Sequence, residues 1–347
     1  MKKIIYTLTF SVISLLALNL KAQSVSYSYI RNNPFDIKNF SASIDPMFVD
    51  LNAHNGYAFG WGLRGEYMMG KRILANFDTR IGFGTNYYRK SNDNTKNYFC
   101  MDGGLGLILS NKAKDKHTRV ILSQSTSGNY RTTTSITVPS KSRFIVALRG
   151  GFSQYNNTLS YKGLADSLLT FKGNVHGSDS TITYKRAQAS DTYVFQDTTQ
   201  GRASAKAVDQ YGGITMVSFY GGFQFRTIRD LLINVDGYGY RGNSRYSDFF
   251  IDVLFAPIVK IRDFKASDGR SYDVKYTQTS HFGWRLGWFW RKPKDQGFSA
   301  KFEIGSRPGF KAPSNTNIPV NMKNLYAMLS FGLYIPLNIK PVYRGEE

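Results

Sequence analysis

The stretch Tyr57-Ala58-Phe59-Gly60-Trp61-Gly62-Leu63-Arg64 decides the fold of this chain. Large apolar side chains stand at every second position, with alanine, glycine and arginine between them. A period of two puts alternate side chains on opposite faces of an extended strand, so one face is aromatic and the other small or charged. Ile73, Ala75, Phe77, Thr79, Ile81 and Phe83 follow the same rule against Asn76, Asp78, Arg80, Gly82 and Gly84. An apolar face of this kind has two candidate surroundings, a protein core or lipid.

Twelve strands follow from the pattern. The sequence predicts Asn39 to Val49 (interrupted by Pro46), Gly56 to Met68, Arg72 to Tyr88, Tyr98 to Leu109, His117 to Gln124 and Ser142 to Ser153. It then predicts Gly212 to Arg226, Leu231 to Tyr240, Asp248 to Ile261, Tyr272 to Trp290, Gly297 to Ser306 and Asn324 to Leu337. Most exceed the five or six residues usual in soluble strands. Beyond the N-terminus no apolar run approaches the length of a membrane-crossing helix. Lipid leaves no water to pair backbone donors and acceptors, so only a closed sheet satisfies them there. A two-sheet sandwich gives the same alternation by burying the aromatic rows between its sheets. Strand length, scarcity of helical periodicity and an aromatic content of 15% favour the barrel. Tyr87, Tyr88, Trp288 and Trp290 fall near strand ends, where interfacial aromatic girdles form.

The expected fold is therefore all-β, a closed antiparallel up-and-down transmembrane β-barrel of about 12 strands over residues 38–337. Short turns on the periplasmic side and longer loops outside give a test of sidedness. Gly70-Lys71 and Lys292 to Gln296 fall inside, while Lys90 to Lys96 and Arg307 to Met322 fall outside, as the rule requires. Arg226 to Asp230 is a tight connection that the count places outside, and residues 154–210 come out with both ends inside. That polar segment is a periplasmic insert, or hides a further hairpin near Thr158 to Tyr161 and Thr192 to Phe195, which makes fourteen strands, or marks a wrong strand register nearby.

Residues 1–22 have the form of a secretory signal, with Lys2 and Lys3 before an apolar run from Ile4 to Leu20 and a small residue, Ala22, at the expected cut. A retained anchor is the other reading of that run. No cysteine follows it, which argues against a lipoprotein tether. Removal of Lys2, Lys3 and Lys21 takes the formal charge from +21 to +18. For an exported chain this excess points to anionic headgroups, lipopolysaccharide or acidic glycans, not nucleic acid. The single Cys100 excludes an intrachain disulfide framework. Residues 23–37 read as an N-terminal periplasmic segment and 338–347 as a C-terminal tail.

Charged residues occupy the face opposite the aromatics. The candidate lumen lining is Arg64, Glu66, Asp78, Arg80, Asp102, Arg143, Arg149, Asp252, Lys275, Arg285, Lys301 and Glu303. One function is passive passage of small polar or anionic solutes through a basic lumen. Alternatively these charges pair across a narrow interior and close it, and the barrel is a non-conducting component of a surface assembly for secretion, adhesion or glycan capture, with other cell-envelope proteins as partners. A third class is a lipid-modifying barrel enzyme. Only His54, His117, His176 and His281 are available for it, and Ser280 lies on the opposite face from His281, so neither a catalytic residue nor a metal or cofactor site is expected.

Three segments carry a family resemblance: Tyr57 to Leu63, Arg285-Leu286-Gly287-Trp288-Phe289-Trp290, and Leu329-Ser330-Phe331-Gly332-Leu333-Tyr334-Ile335-Pro336-Leu337. On these the chain resembles the outer-membrane β-barrel proteins of Gram-negative bacteria, in the style common among Bacteroidota. The resemblance implies a multi-pass location in the outer membrane and leaves the activity open.

Overall fold

The computed structural model describes residues 25–51, 57–83, 98–160, 169–175, 178–186, 193–197, 207–208, 211–261, 264–265, 271–272, 277–278, 280–293, 296–308, 310–312, 320–321 and 325–337. Within 158–212, 261–279 and 309–324 only the backbone is described. The signal segment, the tail from 338, Tyr87, Tyr88, His54, His176 and Lys275 lie outside the described residues. The chain divides into two compact units, one formed by residues 1–33, 115–141 and 229–244 and the other by the remainder.

The larger unit holds a closed barrel of ten strands. They are β1 (Phe40–Leu51), β2 (Tyr57–Met69), β3 (Ile73–Gly82), β4 (Phe99–Ser127), β5 (Tyr130–Ser160), β6 (Tyr211–Arg229), β7 (Arg245–Ile261), β8 (Phe282–Arg291), β9 (Gly297–Ser306) and β10 (Leu325–Leu337). Each neighbours the next in sequence, and β10 pairs antiparallel with β1 to close the sheet. Closure leaves no edge strand in the barrel.

Alternation survives a single slip in β1. Ser41, Ser43 and Asp45 point inward, then Phe48 and Asp50, because the register shifts between Asp45 and Phe48. Pro46 has no N–H to give the ladder, and a bulge is where a sheet tolerates that. Outside, the apolar residues are exposed: Tyr57, Phe59 and Leu63 on β2, Phe249, Ile251, Val253 and Phe255 on β7, and Leu325, Leu329, Leu333 and Ile335 on β10. The apolar rows run from Ile73 to Ile81 on β3 and over all 13 residues of β10, matching the roughly 9–11 residues a tilted strand needs to cross hydrocarbon.

Ten strands replace the expected twelve, and fourteen is excluded with them. His117 to Gln124 is not a separate strand but the continuation of β4, which runs for 29 residues. The polar run Asn111 to Lys116 looks like a turn in sequence, yet it is extended and largely exposed. The actual turn is Gly128-Asn129, where Gly128 adopts φ +55, a conformation that glycine takes without a Cβ penalty. Leu231 to Tyr240 is not a barrel strand either: Leu231–Val235 pairs with Tyr27–Asn32 and Gly239–Gly242 in a three-stranded sheet. Removing these two strands moves 154–210 to the barrel end that carries the other long connections, and the link after Arg226 to the short-turn end. After β5, strands 169–175, 178–186, 193–197 and 207–208 pair with one another and not with the barrel. The expected strand from Tyr272 begins in the barrel only at Phe282; Ser271–Tyr272 pairs with Phe264–Lys265, and Thr277–Gln278 with Phe310–Lys311.

The smaller unit is built as a soluble protein is. Val120, Leu122, Val138, Leu231, Ile233 and Val235 are buried together, with Val25, Ile136 and Tyr238 packed against them. Its sheet edges are closed by side chains. Tyr29 Oη donates to the Pro139 carbonyl at 2.7 Å, and the Lys141 N–H donates to Asn32 Oδ1 at 2.8 Å. Arg241 Nε donates to the Leu122 carbonyl at 2.8 Å, and Asn243 Nδ2 to that of Arg119 at 3.0 Å. These bonds satisfy backbone groups that an exposed strand edge would offer to other chains. Ile233→Ala removes methyl groups from a fully buried site and should destabilise this unit by about 2–5 kcal/mol. The check is proteolysis, with faster cleavage within 115–141 while the barrel stays resistant.

Candidate functional site: the barrel interior

Strand parity delivers charged and aromatic side chains to the same enclosed space. Three tiers of ion pairs fill it. At the end bearing the long connections, Asp50 accepts from Arg307 Nη2 at 2.6 Å and from Tyr98 Oη at 2.8 Å. The Arg307 guanidinium stacks on Tyr326 and Tyr155, 3.9 and 4.2 Å from their centroids.

In the middle tier a single oxygen, Asp78 Oδ2, meets Arg80 at 2.6 Å, Lys301 at 2.9 Å and Arg64 at 3.4 Å. Arg64 also holds Asp45 at 2.7 Å, and Lys301 holds Glu303 at 3.0 Å. Arg285 reaches across from β8 to Asp102 on β4 at 2.9 Å and to Asp252 on β7 at 2.8 Å. Arg149 meets the other oxygen of Asp252 at 3.3 Å. At the short-turn end Arg226 lies between Glu66 and Asp248, 2.7 Å from each. Tyr246 Oη donates to Glu66 at 2.8 Å, Arg291 comes within 3.6 Å of it, and Arg291 also donates to Tyr334.

Eleven of the twelve expected lining residues thus lie inside, and Lys275 lies outside the described residues. Arg143 points inward too, donating to Asn111 Oδ1 at 2.7 Å and stacking on Phe35. The sequence reading missed Asp45, Asp50, Asp248, Arg226, Arg291 and Arg307. Arg226, Asp248 and Arg291 sit at the ends of expected strands, and Arg291 extends the parity of Arg285 by three steps. Asp45 and Asp50 straddle the bulge, so no single parity finds both. With them counted, nine inward cations (Arg64, Arg80, Arg143, Arg149, Arg226, Arg285, Arg291, Lys301 and Arg307) face eight carboxylates (Asp45, Asp50, Glu66, Asp78, Asp102, Asp248, Asp252 and Glu303). Among the described residues the interior is thus nearly neutral: the charges missed are three of each sign, so the small basic excess expected of the lining stays small, at one.

Aromatic rings take the remaining space, and glycines on facing strands admit them. A Cβ on Gly287 would stand 2.0 Å from Phe250 Cζ, and one on Gly104 would stand 2.2 Å from Tyr220 Oη. The inward glycines do not widen a lumen; they make room for rings that narrow it. Described cavities inside are small: about 50 Å³ in the middle, about 30 Å³ towards the end bearing the long connections and about 10 Å³ towards the other.

Ser280 Oγ accepts from the Phe282 N–H at 3.1 Å, and His281 Nδ1 lies 3.1 Å from the Ala256 carbonyl, so each serves its local turn. Among the described residues no three His, Cys, Asp or Glu side chains are placed to hold a metal.

No protein-family model matches the sequence, and no curated protein is similar to it. Solved structures are. The monoaromatic hydrocarbon channel CymD aligns at 10% identity and TM-score 0.23, over 90% of this chain and 94% of that one. A mutant of the monoaromatic hydrocarbon channel TodX aligns at 9% and 0.22, over 88% and 91%, and OmpT, an outer membrane protein of Vibrio cholerae, at 8% and 0.17, over 88% and 99%. At these scores the likenesses carry nothing about activity, and what the interior does is read from its own geometry.

Asp78 holds three cations together away from water. Asp78→Ala should cost about 3–5 kcal/mol, the penalty of leaving buried charge uncompensated. Urea titration followed by the loss of heat-modifiable migration in gels reads it. Gly287→Val should likewise reduce the folded fraction, because the added Cβ overlaps three atoms of the Phe250 ring and forces it from its place; Phe250→Ala in the same chain should restore folding.

Proposed function

We propose that this chain is an integral outer-membrane β-barrel whose interior is sealed at rest, serving as a non-conducting anchor that presents its longer connections at the cell surface. The observation that carries the reading is the Arg285 tie between two distant strands, within tiers of ion pairs among which the described cavities are water-sized. A solute path needs continuous water-wide space, and buried charges that neutralise one another remove it.

Membrane placement rests on the exposed apolar rows around a closed sheet, since a band of that size in water is a strong liability. The surface assembly has its support in the three longest connections, 161–210, 262–281 and 307–324, which leave the same end of the barrel. A formal charge of +18 after signal removal, against a nearly neutral interior, leaves the basic excess on connections and ends. There it favours anionic headgroups, lipopolysaccharide among them. The likenesses to hydrocarbon channels give passage no weight at their scores, and any passage requires rearrangement of the tiers.

Two measurements check this reading. Purified protein in planar bilayers should show no single-channel steps, and a steady conductance of the wild type would sink it. On a Cys100→Ser background, Ser180→Cys should react with an impermeant maleimide in intact cells, whereas Lys71→Cys should react only after the outer membrane is permeabilised.

A further inference from the structure

We infer that the three interior cavities are one interrupted aqueous path along the barrel, and that the Arg285 guanidinium is its central separator. The inference rests on the sealed-barrel reading and adds the position and chemistry of the seal. The cavities are stacked in strand order. On β3 the first is walled by Leu74 and Asn76 and the second by Asn76 and Asp78. On β4 the second is walled by Asp102 and the third by Cys100. Glu66, Asn76 and Gln224 wall both the first and second, and Arg285 walls both the second and third.

The central cavity is built for water. Five of its lining side chains hold buried polar atoms with no hydrogen-bond partner: Arg64 Nη1, Arg149 Nε and Arg285 Nη2, which donate, and Asp102 Oδ1 and Asp248 Oδ1, which accept. All five residues are more than nine-tenths buried. Donors and acceptors mixed in one space suit neither a bound anion nor a bound cation; they suit water, which does both. A volume of about 50 Å³ holds about three to five molecules at roughly 10–15 Å³ each.

Arg285 closes the path by size and by charge. It spans to Asp102 and Asp252, and its guanidinium lies 4.5 Å from the Tyr220 ring centroid. Its positive charge opposes the entry of cations, while its ion pairs occupy the two carboxylates that would otherwise attract them. Without it, Asp252 keeps Arg149 while Asp102 loses its Arg285 ion pair, so the opened path should select small inorganic cations.

The test is Arg285→Ala in planar bilayers with a KCl gradient, its folding verified by heat-modifiable migration. Resolvable steps absent from wild type, with a reversal potential on the potassium side, are expected. Arg285→Cys on the Cys100→Ser background should conduct in the same way and fall silent when a cationic thiosulfonate restores the charge. Tyr220→Ala, which leaves the ion pairs in place, should stay silent. A folded but silent Arg285→Ala, or one selective for chloride, overturns the inference and leaves the sealed barrel standing; a conducting wild type overturns the sealed barrel itself. Should neither Arg285 variant fold, wild-type protein in nanodiscs decides by NMR: magnetisation transfer from water to the Arg285 guanidinium is expected, and its absence overturns the inference.

Discussion

A charge that faces the inside of this ten-stranded barrel must be neutralised there, because the space among the described residues is broken into small cavities. This constraint shapes the rest of the chain. Desolvating a guanidinium or a carboxylate costs several kcal/mol, and the cost is recovered only with close opposite charges and further hydrogen bonds. Asp78 with its three cations and Arg226 between two carboxylates meet that requirement. The inward tyrosines act in the same direction: those at 98, 246 and 326 give their hydroxyls to Asp50, Glu66 and Glu303, so the rings that fill space also satisfy oxygens.

Charge pairing then dictates strand placement. A bond from β8 to β4 fixes two strands that lie far apart around the sheet, and a slip of one residue in either would turn its charged partner to the apolar outer face. The cross-barrel ties therefore serve as register marks as well as plugs. The bulge at Pro46 belongs to the same logic. By shifting parity, it lets Asp45 meet Arg64 and Asp50 meet Arg307 from one strand.

Class, chain direction and the inward face of most strands were legible in the sequence because a period of two is a local property. Arg64, Asp78, Arg80, Asp102, Arg285, Lys301 and Glu303 all follow from it. Strand count was not legible, for a definite reason. Leu231, Ile233 and Val235 alternate as a barrel strand does, yet they pack against Val120, Leu122 and Val138 in a core of ordinary kind. The local pattern records that one face is apolar and is silent about whether lipid or protein covers it. The run Asn111 to Lys116 misled in the opposite sense. Charges on both faces read as a turn, but a strand with water on both sides is equally polar. Pairing across the barrel was out of reach altogether, since Arg285 and Asp102 are separated by 183 residues and nothing near either names the other.

Inverted polarity also explains why the interior is tiered with charge instead of being packed with leucine. An apolar exterior suits lipid, and strands of strict alternation give the other face to residues that are not apolar. If both faces were hydrophobic, nothing in the sequence would tell the inside from the outside, and the unfolded chain would be a series of sticky strands. Polar residues at every second position break those runs and fix which face turns in. The ion pairs need contribute little net stability to be retained; it is enough that every alternative register leaves them unpaired. A wider barrel with the same alternation would fill its interior with water, and the same residues would line a pore. With ten strands the walls are close enough for arginine and aspartate to meet, and that distance lets a charged lining pair across the interior.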